Sequence, residues 1–527
     1  MAAISLCFAS AILVSAIVVV SDKAHSKGEH ALHKGDYPLA EKIFRELLEK
    51  NVHDNEARLG LSFALLKQRS LQAAYDNAAR VVLLEPLSSR GHALLGAAIL
   101  ASGEFRSSIE EFRTALTLNP DEAMAIAGLA MVDFYENRLD LAVPGLRRAA
   151  ELDPEEPDYV FDLGQAAARS ERYREAADAY ERFLSIAPKT DADRRARIRG
   201  LIDFLRYLGR QGSLYAPAGA SRTVISFDSY DSRPILNVRI NGQKQTFRFV
   251  LDTGSGMSVI SDATAQTLGL RPVAKGGLAR AVGGGGKFEI IYGFISELEL
   301  GEVKIQNMPV YIRHFFDDKV PVDGYLGLSA ITKFLAAIDY EHKRITLIRQ
   351  RQSDAYESWT AVRKQQDPGS FAIPVNGETI EIPLRTTSSG FLSGEVSLPG
   401  FDKPFNFIVD TAASISVISE KLAAQEQLTG LLQPTKMRVY GAAGVTEDVK
   451  LVLLPRVALG LSGLDNVNAA VLDMEPVNET AGFTQSGILG GNFLSRFRIY
   501  FDFARAVIQL ESTTSNGESV ENLKRRP

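Results

Sequence analysis

The chain has 527 residues, 45% of them hydrophobic and 23% charged, which is enough apolar material for several globular cores. Its 59 Lys+Arg are outnumbered by 64 Asp+Glu, for a net charge of −5, which excludes a generally basic nucleic-acid-binding surface. The single cysteine, Cys7, excludes an intrachain disulfide framework and any cysteine-rich zinc site.

Residues 2–20 (AAISLCFASAILVSAIVVV) form an uncharged apolar run whose length suits both a signal peptide and a membrane-spanning helix. Val19-Val20-Ser21 offers small residues for cleavage, but no cationic side chain precedes the run. Lys23 and Lys27 follow it, where the positive-inside rule favours retention. Residues 1–22 are therefore expected to be a signal peptide or an N-terminal membrane anchor of an exported protein, whether secreted, periplasmic or membrane-anchored through 2–20. Cys7 lies inside the apolar run rather than at its end, which argues against lipidation.

The next stretch is repetitive. Pro86, Pro120, Pro154 and Pro188 recur every 34 residues, dividing the chain into units 55–88, 89–122, 123–156 and 157–190 after a less regular one at 21–54. The eighth position of each unit is small (Gly28, Ser62, Gly96, Ala130, Gly164), and so is the twentieth (Ala40, Ala74, Ser108, Ala142, Ala176). Four positions later stand Phe44, Ala78, Phe112, Leu146 and Tyr180. Small residues allow paired helices to approach, larger ones fill the gap between pairs, and each proline ends a second helix. This pattern resembles the tetratricopeptide repeat. It implies an all-α solenoid over 23–211, capped by an amphipathic helix at 191–210, with a concave face for a protein partner. The plain alternative is a spacer.

Residues 212–222 (GSLYAPAGASR) read as a linker by composition. Beyond them, β-branched and aromatic runs such as ILNVRI (235–240), FRFVL (247–251) and ITLI (345–348) alternate with Asn-Gly and Gly-rich turns, which predicts β structure. This half is duplicated. Phe247 to Ser261, containing Asp252-Thr253-Gly254, aligns with Phe405 to Ser419, containing Asp410-Thr411-Ala412. The same offset carries Arg280, Gly283 and Gly286 onto Arg438, Gly441 and Gly444. Tyr325-Leu326-Gly327 then matches Ile488-Leu489-Gly490, and Phe334 and Asp339 match Phe497 and Asp502. Two β-lobes follow at 223–350 and 371–512, joined by a charged, Gln-rich linker at 351–370 and followed by a tail at 513–527 expected to be disordered.

An apolar strand ending in Asp-Thr-Gly, a glycine-bearing hairpin and a final apolar-apolar-Gly, twice in register, resemble the aspartic peptidases of the pepsin-like and retroviral type. The resemblance implies a pseudo-twofold bilobal barrel. It also implies hydrolysis of a polypeptide substrate by a water held between Asp252 and Asp410, with no cofactor and no metal. Two carboxylates pressed together share one proton, so the pair supplies an acid and a base at once. Neither aspartate is assigned as the base, because such a pair titrates as a unit. Thr253 and Thr411 are implied to lock the two loops by hydrogen bonds. Gly254 permits the tight turn. The hairpin tips Val282–Gly286 and Tyr440–Gly444 are implied to be flaps, with Gly283, Gly284, Tyr440 and Gly441 as substrate-binding positions.

Two departures stand out. Ala412 replaces the family's glycine, and a displacement of about 1 Å at a reacting carboxylate costs on the order of a hundredfold in rate. Only the second hairpin carries an aromatic residue, Tyr440; the resemblance, in which one flap bears a Tyr beside a Gly, implies that the second lobe supplies the principal flap. Rival chemistries lack their motifs: there is no Gly-x-Ser-x-Gly or His-Glu-x-x-His. Gly283–Lys287 fails as a phosphate loop at Ala281 and Phe288. His25, His30 and His33 read as a solvated helix face rather than a metal site. The expected activity is an aspartic endopeptidase with helical repeats for protein recruitment. The alternative is an inactive peptide-binding scaffold, and pairing of the lobes between chains also stays open.

Overall fold

The computed structural model describes residues 24–190, 192–280, 282, 287–316, 321–350, 381–442 and 444–512. These fall into two compact units, one of residues 24–134 and 138–198, the other of residues 135–137 and those from Arg199 onward. Residues 1–22, 351–370 and 513–527, with Gly283 and Gly284, for which a leader or anchor, a linker, a tail and flap positions are expected, lie outside the described residues. No described helix is long and apolar enough to cross a membrane.

The first unit is helical throughout. A helix at 24–33 and Tyr37–Lys50 make the first antiparallel pair, followed by Asn55–Lys67 with Leu71–Leu84 and Ser89–Ser102 with Phe105–Leu118. Ala123–Tyr135 with Leu139–Leu152 and Pro157–Arg169 with Tyr173–Ile186 complete the set. Side chains of Asp36, Asp54 and Ser88 accept from backbone N–H groups of the first turns at 3.2, 3.0 and 3.1 Å. Pro86, Pro120, Pro154 and Pro188 each stand two residues past a second helix, at Leu84, Leu118, Leu152 and Ile186. The residue before a proline is pushed out of helical geometry, and Asn119 is indeed extended (φ −140°, ψ 103°).

Packing follows the volume of the repeated positions. Phe44 is fully buried against Gly28 and Gly60, and Phe112 against Gly96 and Gly128; Tyr180 covers Gly164. Where the small site carries a side chain, as in Ser62 and Ala130, the opposing residues are the smaller Ala78 and Leu146. Large knobs thus meet glycine holes in alternate units. Lys67 donates to Glu156 at 2.7 Å and Asp158 at 2.6 Å, joining segments three helix pairs apart.

The helix expected at 191–210 spans Ala192–Leu208. In the first unit Arg195 donates to the Leu184 carbonyl at 2.6 Å, completing the preceding helix end. In the second unit Phe204 stacks on Tyr292 with centroids 4.2 Å apart, so this helix also serves the β-rich half. The stretch 212–222, expected as a linker, is instead structural: Ala216–Gly219 pairs with Val303–Gln306 at a sheet edge. Proline at 217 is compatible with an edge strand because an edge leaves one N–H side unpaired.

The second unit holds two similar sheets and a third that joins them. In the first lobe the strand Phe247–Asp252 runs parallel to Gly324–Gly327, which is wedged between it and Ser258–Ser261. The second lobe repeats this with Phe405–Val409, Gly487–Leu489 and Ser416–Ser419. The joining sheet has six strands, three from each lobe, meeting where Phe334–Asp339 pairs antiparallel with Phe497–Asp502. Ala337 there faces Tyr500, its own counterpart in the duplication, which places a pseudo-twofold axis at that point. Buried Asp339 accepts from Arg498 across the axis at 3.2 Å, and one apolar core runs through both lobes.

A methyl group added at Gly128 would overlap the Phe112 ring. In an open helix Gly→Ala stabilises by about 1 kcal/mol. Here Gly128→Ala is expected to destabilise the helical unit by about 1–3 kcal/mol through overpacking. Adding Phe112→Leu should recover a large part of it, measured by urea unfolding followed by helical ellipticity as a double-mutant cycle.

Candidate active site

The two Asp-Thr loops emerge from equivalent strand ends. Asp252 closes Phe247–Asp252 opposite Gly327, and Asp410 follows Phe405–Val409 beside Leu489, whose carbonyl accepts the Asp410 N–H at 3.0 Å. The wedged strands therefore support the loops as expected from Tyr325-Leu326-Gly327 and Ile488-Leu489-Gly490. A Cβ at Gly327 or Gly490 would collide with the backbone of Met257 or Ile415, so the crossing requires glycine.

Four hydrogen bonds join the loops. Thr253 Oγ1 donates to the Val409 carbonyl at 2.7 Å and accepts the Thr411 N–H at 3.1 Å. Reciprocally, Thr411 Oγ1 donates to the Leu251 carbonyl at 2.7 Å and accepts the Thr253 N–H at 3.2 Å. Both threonines are 0% exposed, so water cannot substitute for either partner. Two serines missed at the sequence level extend the frame: Ser258 Oγ accepts from Gly327 N–H at 3.0 Å and Ser416 Oγ from Gly490 N–H at 3.1 Å. Their repetition within the duplicated stretch was the available signal.

The carboxylates face one another but not equivalently. Asp252 Oδ1 accepts one backbone N–H, from Gly254 at 3.0 Å. Asp410 Oδ1 accepts two, from Ala412 at 2.8 Å and Ala413 at 3.1 Å. Burial, and then the adjacent Asp410 charge, push the Asp252 carboxyl well above the usual carboxylate range, against the opposing pull of Arg313 and the Gly254 N–H. Burial raises Asp410 too, with the two N–H groups holding it back. A side chain at Gly254 would run into the Asp410 carboxylate. Ala412, the departure from the family pattern, turns its methyl into an apolar cluster of Ile235, Val250, Val322 and Tyr325.

Two hairpins flank the loops. In the first lobe Val282, between Ala274–Arg280 and Lys287–Leu300, packs on the second lobe's cluster of Ile408, Val417 and Ile488. In the second, Leu432–Gly441 pairs with Gly444–Leu459, Gly441 facing Gly444. Met437 and Val439 pack into that same cluster beside Ala413 and Ile415, whereas Tyr440 engages Arg438 along the hairpin. Alternation turns adjacent strand residues to opposite faces, so Val439 packs on this cluster while Tyr440 lies on the other face. A further residue missed in the sequence, Arg313, donates from Nη1 to the Ala442 carbonyl at the second hairpin's tip, at 3.0 Å.

Thr411→Val keeps the shape but strands the Leu251 carbonyl and the Thr253 N–H in a dry environment. A loss of about 2–4 kcal/mol in the β-rich unit is expected, with Thr411→Ser costing less than half as much, read by urea unfolding.

The aspartyl protease family model matches residues 236–330 and 395–493, one segment in each lobe, and the tetratricopeptide repeat model matches 25–83 and 127–190. The chain is 29% identical over 160 residues to anaphase-promoting complex subunit 3 of Schizosaccharomyces pombe, covering 30% of this chain and 24% of that protein. It is 25% identical over 92 residues to small glutamine-rich tetratricopeptide repeat-containing protein 2 of Mycosarcoma maydis, covering 18% and 26%. The chain thus spans about a quarter of the length of these relatives. Among solved structures, a thermophilic TPR protein of Thermus thermophilus is 24% identical, covering 34% of this chain and 98% of that one with a TM-score of 0.31. The chain is a tetratricopeptide-repeat protein fused to a tandem pair of aspartyl-protease-family lobes.

Proposed function

We propose that the two lobes of one chain form a single aspartic endopeptidase site. The observation that carries this reading is the reciprocal Thr253–Thr411 hydrogen-bond set, which brings Asp252 and Asp410 into one buried pair. Its unequal hydrogen bonding supports a division of labour: Asp410, with two N–H donors, is the ionised base and Asp252 holds the shared proton. Asp410 takes a proton from water as its oxygen adds to the scissile carbonyl carbon, and Asp252 gives its proton to the carbonyl oxygen. The tetrahedral adduct then collapses: Asp410 passes its proton to the amide nitrogen, Asp252 takes one back from an adduct hydroxyl, the C–N bond breaks, and a carboxylic acid and an amine leave. We read the helical repeats as the surface that recruits a protein partner or substrate, and residues 2–20 as the export or anchoring segment.

A second reading, a peptide-binding scaffold without turnover, draws on Ala412. The apolar cluster receiving its methyl favours the first reading, since Asp410 keeps both backbone donors. A buried pair of carboxylates is moreover costly for a module that only binds.

The test is cleavage of a diverse peptide pool from about pH 3 to about pH 8. Asp252→Asn and Asp410→Asn should each lower kcat by roughly a thousandfold or more. Activity surviving in Asp410→Asn would indicate pairing between chains, and binding without cleavage by the parent would favour the scaffold. Activity should fall on the alkaline side as Asp252 loses its proton, above the usual carboxylate range. The same raised pKa governs stability. A carboxyl with a higher pKa folded than unfolded stabilises fully below the unfolded value and loses that contribution as pH rises through the folded one. Asp252→Asn should therefore raise Tm by a few degrees at about pH 8 and change it little at about pH 4.

A further inference from the structure

The first lobe places a cation where the second has none. Strand pairing sets Arg313 beside Ser261 and Leu472 beside Ser419, and Ser261 and Ser419 are counterparts in the duplication. Leu472 is buried in the apolar cluster with Ile408 and Val417. The fold accordingly accepts an apolar side chain at this position, and Arg313 is not required for it.

The Arg313 guanidinium lies close enough to Asp252 for each to feel the other's charge, between the rings of Phe288 and Phe315 with centroids at 5.5 and 5.7 Å. One N–H is taken by the Ala442 carbonyl. The Nε–H is buried without an acceptor, and Arg313 forms no ion pair among the described residues. Arg313 shares a cavity wall with two acids that have partners of their own: Asp262 contacts His314 at 3.3 Å and Glu289 pairs with Lys275 at 3.3 Å. What remains is a guanidinium with aromatic walls that feels the Asp252 charge and, among the described residues, has no carboxylate within ion-pair distance. The planar edge bearing Nε–H and Nη2 is the one that takes a carboxylate side-on through two parallel hydrogen bonds.

We propose that Arg313 is a specificity-determining residue that receives the acidic side chain of a peptide substrate, a glutamate or aspartate close to the scissile bond and on one side of it. Since Ala442 lies at the tip of the second hairpin, the residue that receives the acid also holds that hairpin down. This inference rests on the endopeptidase reading of the same site.

The experiment compares paired peptides that differ only by Glu against Gln on either side of the scissile bond, with cleavage by the full chain and by Arg313→Met and Arg313→Lys. In parallel, calorimetry measures binding of the same pairs with the scissile amide reduced. The parent is expected to prefer Glu on one side by on the order of 10- to 100-fold in kcat/KM. The Glu/Gln ratio should fall to about one in Arg313→Met, and Arg313→Lys should restore part of it. Equal losses for both peptides in Arg313→Met would assign Arg313 to the hairpin alone and overturn the proposal. Cleavage by the parent with no preference for Glu would also overturn it, leaving the endopeptidase reading intact. Binding that selects Glu through Arg313 without any cleavage would uphold the subsite and overturn the catalytic reading. Neither binding nor cleavage of any pair would overturn both.

Discussion

Four hydrogen bonds between Thr253 and Thr411 and the opposite backbones are the constraint on which this site depends. Two carboxylates repel when ionised and lose hydration when buried, so nothing about Asp252 and Asp410 themselves draws them together. The threonines supply the attraction one residue further along, in a place dry enough that each lost partner would go unreplaced. The six-stranded sheet performs the same task on a larger scale. Because Ala337 faces Tyr500, register in that sheet fixes the axis about which both loops are placed.

Around this symmetric frame the chemistry is asymmetric. Gly254 leaves room for the Asp410 carboxylate, whereas Ala412 carries a methyl that lies among Val250, Val322 and Tyr325. Asp410 receives two backbone donors and Asp252 one. The same register position carries Arg313 in the first lobe and the buried Leu472 in the second. A duplicated chain can do this because each copy mutates separately, while a site made from two identical chains must change both halves together.

Much of the architecture was legible in the residues. The volumes of the eighth and twenty-fourth repeat positions already matched Phe44 and Phe112 to glycines, because close packing leaves no other way to stack such helices. The paired Asp-Thr motifs and their supporting glycines were legible because each is a local steric demand. Other features were not. The Gly, Pro and Ala content of 212–222 conceals Ala216–Gly219, whose strand character comes from pairing with Val303–Gln306 far along the chain. Tyr440 stood out by composition, but its neighbours Met437 and Val439 are the hairpin residues that reach the cluster beside the Asp410 loop. Arg313 carried no motif at all, and its counterpart Leu472 is found only through strand register.

Residue identity and spacing by themselves determined the helical repeats, the duplicated β-lobes and the two aspartates, because packing volume, turn geometry and carboxylate chemistry are local properties. Only the tertiary structure decided that the lobes of one chain face each other, which aspartate holds the backbone donors, and what surrounds Arg313. Those outcomes depend on burial and on the approach of groups more than a hundred residues apart, and desolvation and charge interaction act through space rather than along the chain.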